Sequence, residues 1–515
     1  MSHKFCNSFI TIFYHLYTCD VLPGLLYYLH MIRQVSIERR PWLRTAIYTF
    51  MTLAVTVVVS LLMLVVLGYS FNQKDGRLEQ GGLLQFSSIP NGATVTLDQL
   101  KLGSLTTTKS TAETGNHFVT FDLDGYRQWQ KSITINPGQI GWLSYARLIP
   151  KTITLQKEHD YTALAGALAS QNRKYMLLHE TADQPVFTLV DIQGDTPKYT
   201  TLTLPVNSFT QPAAGKTQTF TLDSWSRDDQ AVLIRHTYDG TKTEWLLLDR
   251  NSPEKSINLS VTYAVAPSRV LFAGNGNKLL FVQTDDVVRR LDLGAQTLSR
   301  PLATGVDNFT GYDEKTIVYA TKPDDKGART VGYAAVDISN PQPLAAYPAD
   351  GLPLFGAMSS YFGQKYVAIV HGQNLIIQTG QLPAPNDDGS LKLFAKHTVP
   401  AGVTAFDMSN NGRFAVASLP TGYATFDIEL QKYDNTTWSR QTQMPRSLNW
   451  LDDYMLWSDY GGTLRFYEFD GANQQDIMPV VEGYVATLTP NDKYVYGISK
   501  TDKGFALERA KLVIN

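Results

Sequence analysis

The sequence predicts a mainly β protein: an N-terminal transmembrane helix, a small β-sandwich, and then a β-propeller of seven or eight blades. Three observations carry this. An uncharged, apolar run extends from Thr45 to Tyr69, long enough as a helix to cross a hydrocarbon layer of about 30 Å. From Gln85 the chain turns to short strands of alternating polarity broken by Pro, Gly, Asn and Asp, as half-buried hairpins require. Beyond Asp160, a polar turn followed by an apolar strand recurs at intervals averaging roughly 46 residues, the length of one four-stranded blade.

The membrane segment comes first. Arg33, Arg39, Arg40 and Arg44 precede the apolar run, against Lys74 and Arg77 just after it. This bias places the short N-terminal side in the cytoplasm and everything after the span outside. Trp42, Tyr48, Tyr69 and Phe71 suit the two interfaces. A cleaved signal peptide fits less well, because the run exceeds a signal core of about 7–15 residues and no small-x-small site follows it.

Residues 1–30 are apolar and aromatic but interrupted by Asp20, Pro23 and Gly24, which makes a poor spanning helix. Three readings compete: a second, weak membrane helix, an interfacial segment, or translated leader upstream of a start at Met31. We favour the third, and the large C-terminal part stays outside in each.

Composition narrows the function. The chain has 515 residues and a formal net charge of −2, without the basic excess expected of a nucleic-acid binder. Its two cysteines, Cys6 and Cys19, both lie in the N-terminal segment. The remainder can therefore form neither a disulfide framework nor a thiolate metal site, which fits an exported protein stabilised by its core.

After a polar linker over residues 71–84, the stretch from Gln85 reads as successive hairpins. Pro90-Asn91-Gly92-Ala93 sets a tight turn, since Pro fixes φ and Gly permits positive φ. Val95 and Leu97 alternate inward, Asp98 offers a side-chain oxygen to cap the next turn, and Gly103 follows. Gly115-Asn116-His117 precedes another strand, and Gly125-Tyr126 places a ring where it can fill a small core. These residues, in this order, resemble the PEGA domain, a small extracytoplasmic β-sandwich-like module. The departures are Asn91 at the second position of the name and Ser104-Leu105-Thr106 in place of the usual Gly-x-Thr-Pro exit. The resemblance implies architectural rather than ligand-binding roles for these positions.

The repeated turn–strand units begin at Ser170, Ser226, Ala273, Gly311, Tyr361, Ser409, Trp450 and Thr489. Such a unit cannot bury both faces alone, so neighbours must stack about an axis, and a closed ring leaves no long exposed edge. The last unit is one strand short, and Ile153–Gln156 could supply the missing strand. Ser409-Asn410-Asn411-Gly412-Arg413 and Thr489-Pro490-Asn491-Asp492-Lys493 resemble the turns of TolB-like propellers, and more distantly those of WD-repeat propellers, whose Trp-Asp signature is missing here.

Chemistry is less legible. The sequence has no GxSxG, HExxH or Walker motif, and no dinucleotide-binding glycine motif in a strand–turn–helix setting. His117, His179, His236, His371 and His397 stand alone in different units. Of these, His179, His236 and His371 follow the repeated strand at similar points and could line one annulus. The acidic turns Pro323–Gly327, Asn386–Ser390 and Asp122–Gly125 lack the spaced oxygens and terminal Glu of a calcium loop and read as solvated turns. Trp225, Trp245, Trp438, Trp450 and Trp457 could stack on sugars, but as large aromatics most are expected in blade cores.

The expected organisation is therefore a cytoplasmic segment 1–44, a transmembrane helix 45–70, a linker 71–84, a PEGA-like domain 85–157 and a propeller 158–515. No catalytic, cofactor-binding or metal-binding residue is singled out, and no cofactor is expected. The expected role is a non-enzymatic, single-pass cell-membrane protein that presents its propeller outside to a protein or envelope glycan, without nucleic acid as a partner. The alternative is a glycan-active hydrolase or lyase with a site at the propeller axis.

Overall fold

The computed structural model describes residues 41–66, 69–72, 77–438 and 449–514; the readings of residues 1–30 lie outside them. The chain divides into two compact units. One holds the N-terminal helix with residues 69–72, 77–85, 109–116 and 134–142, and the other holds 86–108, 117–133 and what is described from 143 onward.

Helix α1 spans Pro41–Val66. Its side chains from Arg44 to Met63 are exposed, and the stretch Arg44–Leu64 has a mean hydropathy of 2.3. It is long and apolar enough to cross a membrane. The expected boundaries shift here. The helix stops at Val66, and Tyr69–Asn72 pairs antiparallel with Arg77–Gln80, where a helix to residue 70 and a linker over 71–84 were expected. Tyr69-Ser70-Phe71-Asn72 is a β-prone stretch.

Two sheets form the next module. One has strands Thr108–Ala112, Gly82–Ile89 and Ile140–Arg147 in that order. The other runs Leu100–Leu105, Thr94–Leu97, Gly115–Asp122, Trp129–Ile135. The Pro90–Ala93 turn is tied by Thr106. Its buried hydroxyl accepts from the Gly92 and Ala93 amides at 3.0 and 2.9 Å and lies 2.7 Å from the Ser88 hydroxyl. The exit segment that departs from the PEGA pattern thus keeps its turn-fixing threonine. Gly92 has φ +97°, a conformation glycine adopts without strain. Asp98 ties the neighbouring strand rather than capping the following turn, accepting from the Phe118 amide at 2.8 Å with His117 Nδ1 at 2.5 Å. Tyr126 is buried, as expected of a core filler.

Among the described residues, eight four-stranded antiparallel sheets follow. Their first strands are Gly166–Ala169, Gln218–Trp225, Arg269–Phe272, Val306–Gly311, Leu354–Tyr361, Ala405–Met408, Asn449–Trp450 and Thr487–Leu488. The count of blades is therefore eight. In the eighth, Thr487–Leu488, Tyr494–Thr501 and Gly504–Lys511 are joined by Thr154–Tyr161 from the start of the region. Thr154 pairs with Lys511 and Tyr161 with Phe505. The closing strand expected near Ile153–Gln156 is this one, and it extends five residues further.

Alternation along each second strand builds the ring. Met176 and Leu178 pack onto the eighth blade, whereas Leu177 packs onto the second. Leu280 and Val282 face the second blade, and Phe281 faces the fourth. A separate apolar cluster lies between every pair of successive blades, including the eighth and first. Each buried Leu, Val or Phe contributes roughly 1.5–3 kcal/mol. The core is thus distributed around the ring.

Candidate binding surfaces of the propeller

The first strand of each blade lies innermost, so its polar residues define the axis. In the second blade the pairing shifts between Leu222 and Ser224, leaving Asp223 as the extra residue of a bulge. Bulges re-aim side chains, and Asp223 is exposed within the ring. Asp407, on the first strand of the sixth blade, is also exposed, and Arg269 on that of the third is half-buried. Arg269 acts electrostatically on both carboxylates. The third and sixth blades are not neighbours, so this influence crosses the axis.

The electrostatics are those of a crowded but wet opening. Burial pushes the Asp223 carboxyl up, opposed by the Ser224 hydroxyl, Arg235 and Arg269. Burial likewise raises Asp407, opposed by the Met408 amide, Arg227 and Arg269. Burial also lowers the Arg269 guanidinium, opposed by Asp223 and Asp407, and its Cζ lies 4.9 Å from the Phe309 ring centre. Sequence reading missed this group because a bulge and a cross-axis approach have no local signature. The one available hint was a carboxylate within the otherwise apolar strand Ala405–Met408.

The three histidines do not meet. His179 Nε2 is 2.8 Å from the Gln184 carbonyl, and His371 Nε2 is 3.2 Å from Asp350. His236 is buried, with Nδ1 2.8 Å from Glu244 Oε1 and Nε2 3.2 Å from Gln218 Oε1. Each is engaged within or beside its own blade, and the three share no partner. His397 stacks on Tyr433 with ring centres 5.0 Å apart, and His117 sits on Asp98. Among the described residues, no three His, Cys, Asp or Glu side chains gather as a metal site.

The acidic turns use their oxygens internally. Asp324 Oδ1 accepts from the Lys326 and Ala328 amides. Asp387 accepts from Gly389 and Gln381, and Asp124 from Gly125. Trp225, Trp245 and Trp457 are buried in blade cores. Trp450 stacks against Phe414 and Trp438 packs edge-on to Tyr467, and both rings are half-buried against the core between the sixth and seventh blades.

A joint between the PEGA-like strands and the seventh blade was also invisible in sequence. Lys131, third in the alternating strand Trp129–Ile135, places Nζ 2.5 Å from Glu468 and 2.7 Å from Asp470. Trp129 Nε1 donates to Glu468, and Asn473 donates to it at 3.0 Å. Burial would lower the Lys131 ammonium, but Glu468 and Asp470 outweigh it and hold it above the ordinary lysine range. An aromatic ladder runs alongside, with Phe121 stacked on Trp129 at 4.8 Å and Tyr145 on Tyr454 at 5.0 Å. Arg147 adds ion pairs to Asp452 and Asp492 at 2.8 and 3.1 Å.

Residues 82–148 match the PEGA domain. Solved structures of similar fold include an oligogalacturonate lyase in complex with manganese, at 15% identity over 59% of this chain and 95% of that one, TM-score 0.37. AztD from Citrobacter koseri is 13% identical over 75% and 94%, TM-score 0.35. The β-propeller domain of Cps50 (Swd1) from Myceliophteria thermophila is 12% identical over 71% and 100%, TM-score 0.36. These likenesses describe fold alone. No curated protein matches the chain. The chain thus carries a stretch that matches the PEGA domain, a ring of four-stranded sheets and an N-terminal apolar helix.

Proposed function

We propose that this chain is a single-pass, membrane-anchored protein of the cell envelope that displays its propeller outside the cytoplasm to hold a protein or glycan partner, without catalysing a reaction. The exposed apolar helix and the arginines preceding it support the anchor and its orientation. The observation that carries the binding role is the axial group. Carboxylates from the second and sixth blades share the field of Arg269 in a solvent-open position, which suits recognition of a polar, charge-bearing partner.

A second reading, a glycan-active hydrolase or lyase at the axis, has one observation in its favour. Burial raises both Asp223 and Asp407, as a general acid requires.

Topology is tested with Lys326→Cys and Lys503→Cys in a chain whose Cys6 and Cys19 are replaced by serine. A membrane-impermeant maleimide should label both in intact cells; labelling only after lysis overturns the orientation. Photo-crosslinking from Thr219 on the inner strand should capture an envelope partner. Glycan cleavage that disappears in D223N or D407N would establish the enzyme instead.

A further inference from the structure

We infer that the outer face of the PEGA-like sheet beside the helix end, around Ile140 and Trp142, is a second membrane contact that seats in the lipid headgroup layer. This rests on the anchored reading proposed above and adds a lipid-binding surface to it.

Register brings that face to the membrane. A fully extended connection over residues 67–81 would set the module up to about 50 Å from the helix. Instead Tyr69–Asn72 pairs with Arg77–Gln80, so that Tyr69, which follows closely on Val66, lies opposite Gln80, about 5 Å away across an antiparallel ladder. The strand Gly82–Ile89 starts just after Gln80, so the sheet begins close to where the helix ends. Strand Ile140–Arg147 begins beside it: the Leu83 amide donates to the Gln139 carbonyl at 2.9 Å, and the Gly138 amide to the Gly81 carbonyl at 3.1 Å. All these residues, with Ile140 and Trp142, belong to the unit that holds the helix.

Alternation decides which side chains face out. A Cβ added at Gly141 would run into Leu84, and one at Gly82 into Ile135, so both glycines face the inside of the sandwich. Their neighbours Leu83, Ile140 and Trp142 therefore point away from it. Ile140 and Trp142 are 47% and 44% exposed.

Chemistry then selects lipid. The three strands of this sheet, Gly82–Ile89, Thr108–Ala112 and Ile140–Arg147, contain no Asp or Glu. Their charged residues are Lys109, which is exposed and suits lipid phosphates, and Arg147, buried at the opposite end of its strand from Ile140. An indole, apolar in body with one N–H donor, favours the membrane–water interface. A ring that stacks on sugar needs polar groups beside it to bond the hydroxyls, whereas Leu83 and Ile140 are aliphatic. So small a patch would not hold a free protein on a bilayer. Tethered next to a membrane helix, it binds intramolecularly, at a high effective concentration.

The test uses the full chain, with Cys6 and Cys19 replaced by serine, in nanodiscs of phosphatidylcholine and phosphatidylglycerol. An NBD fluorophore is attached at Asn136→Cys, an exposed position just before Ile140. K255C on a propeller turn and V57C within the helix serve as references. Phosphatidylcholine carrying a nitroxide near its headgroup should quench the label at N136C and not that at K255C. I140E/W142E should abolish this quenching with the circular dichroism spectrum unchanged. The contact is overturned if N136C is quenched no more than K255C, or if I140E/W142E leaves its quenching intact. A blue-shifted N136C label without lipid quenching also overturns it, because a second copy of the chain then covers the face. Quenching of V57C by a deep nitroxide while N136C stays bright would reject the patch and leave the anchor standing. An unquenched V57C would reject the anchor and the contact together.

Discussion

Lys131 and Glu468 form an ion pair at 2.5 Å with both side chains almost wholly withdrawn from water, 6% and 1% exposed. The pair fastens the Trp129–Ile135 strand to the seventh blade. Its value lies in what happens when one partner is lost, since an unmatched buried charge is costly.

Lys131→Met should therefore destabilise the folded chain by about 3–5 kcal/mol, read as a lowered urea midpoint. K131M/E468L should recover part of that loss, because no unpaired glutamate remains. The folded lysine is held above its ordinary value, so its contribution is complete at neutral pH. It is lost only as pH rises beyond the ordinary lysine range.

Glu244 sets the acid limit of the second blade. It accepts from the Thr210 amide and hydroxyl, both at 2.7 Å, and pairs with His236 at 2.8 Å. Burial alone would raise its carboxyl, but these partners and Asn258 bring it down to about 2. A depressed carboxyl stabilises above its unfolded value and loses that contribution as pH falls through its folded one. Acid unfolding followed by tryptophan fluorescence should thus include a step between about pH 4.3 and 2, missing in E244Q. That variant should also lose about 1–3 kcal/mol at pH 7.

The ring closure is a separate vulnerability. Ala510 pairs with Leu155 on one side and Val495 on the other. A proline there removes a ladder donor between two strands, and A510P should cost about 3 kcal/mol or more. Limited proteolysis should then cut near Thr154–Tyr161 before any other blade.

The axial carboxylates predict the opposite sign. Burial raises Asp407 in the folded chain, so folding loses stability as pH climbs from the ordinary aspartate range through the folded value. D407N should be as stable as the parent at pH 7, or up to about 1 kcal/mol more stable, as groups retained for function often are. A loss of 2 kcal/mol or more in thermal unfolding would assign Asp407 to structure instead.

Local pattern made the architecture legible. The eight turn–strand units are visible because each second strand must be apolar on both sides, as Met176-Leu177-Leu178 shows. The missing last strand was readable for the same reason: an eighth blade with an open edge demands a partner. The helix end was misplaced because Tyr69 and Phe71 are as apolar as a membrane run yet pair as strand. Asp223, Arg269 and Asp407 were not legible as a group, since Asp407 lies on the sixth blade, far in sequence from the second and third that carry the other two. Lys131 shares the inward face of its strand with Trp129, Ile133 and Ile135, but nothing local names Glu468 as its partner.

The pairing of Thr154–Tyr161 with Gly504–Lys511 has a consequence for biosynthesis. A chain emerges N-terminal end first, so the earliest propeller strand has no partner until nearly all the others have been made. Throughout that interval its edge is open to pairing with another chain. Contacts so remote in sequence also form slowly. Folding of this molecule is therefore exposed to chaperone demand at a defined place, the strand that waits longest.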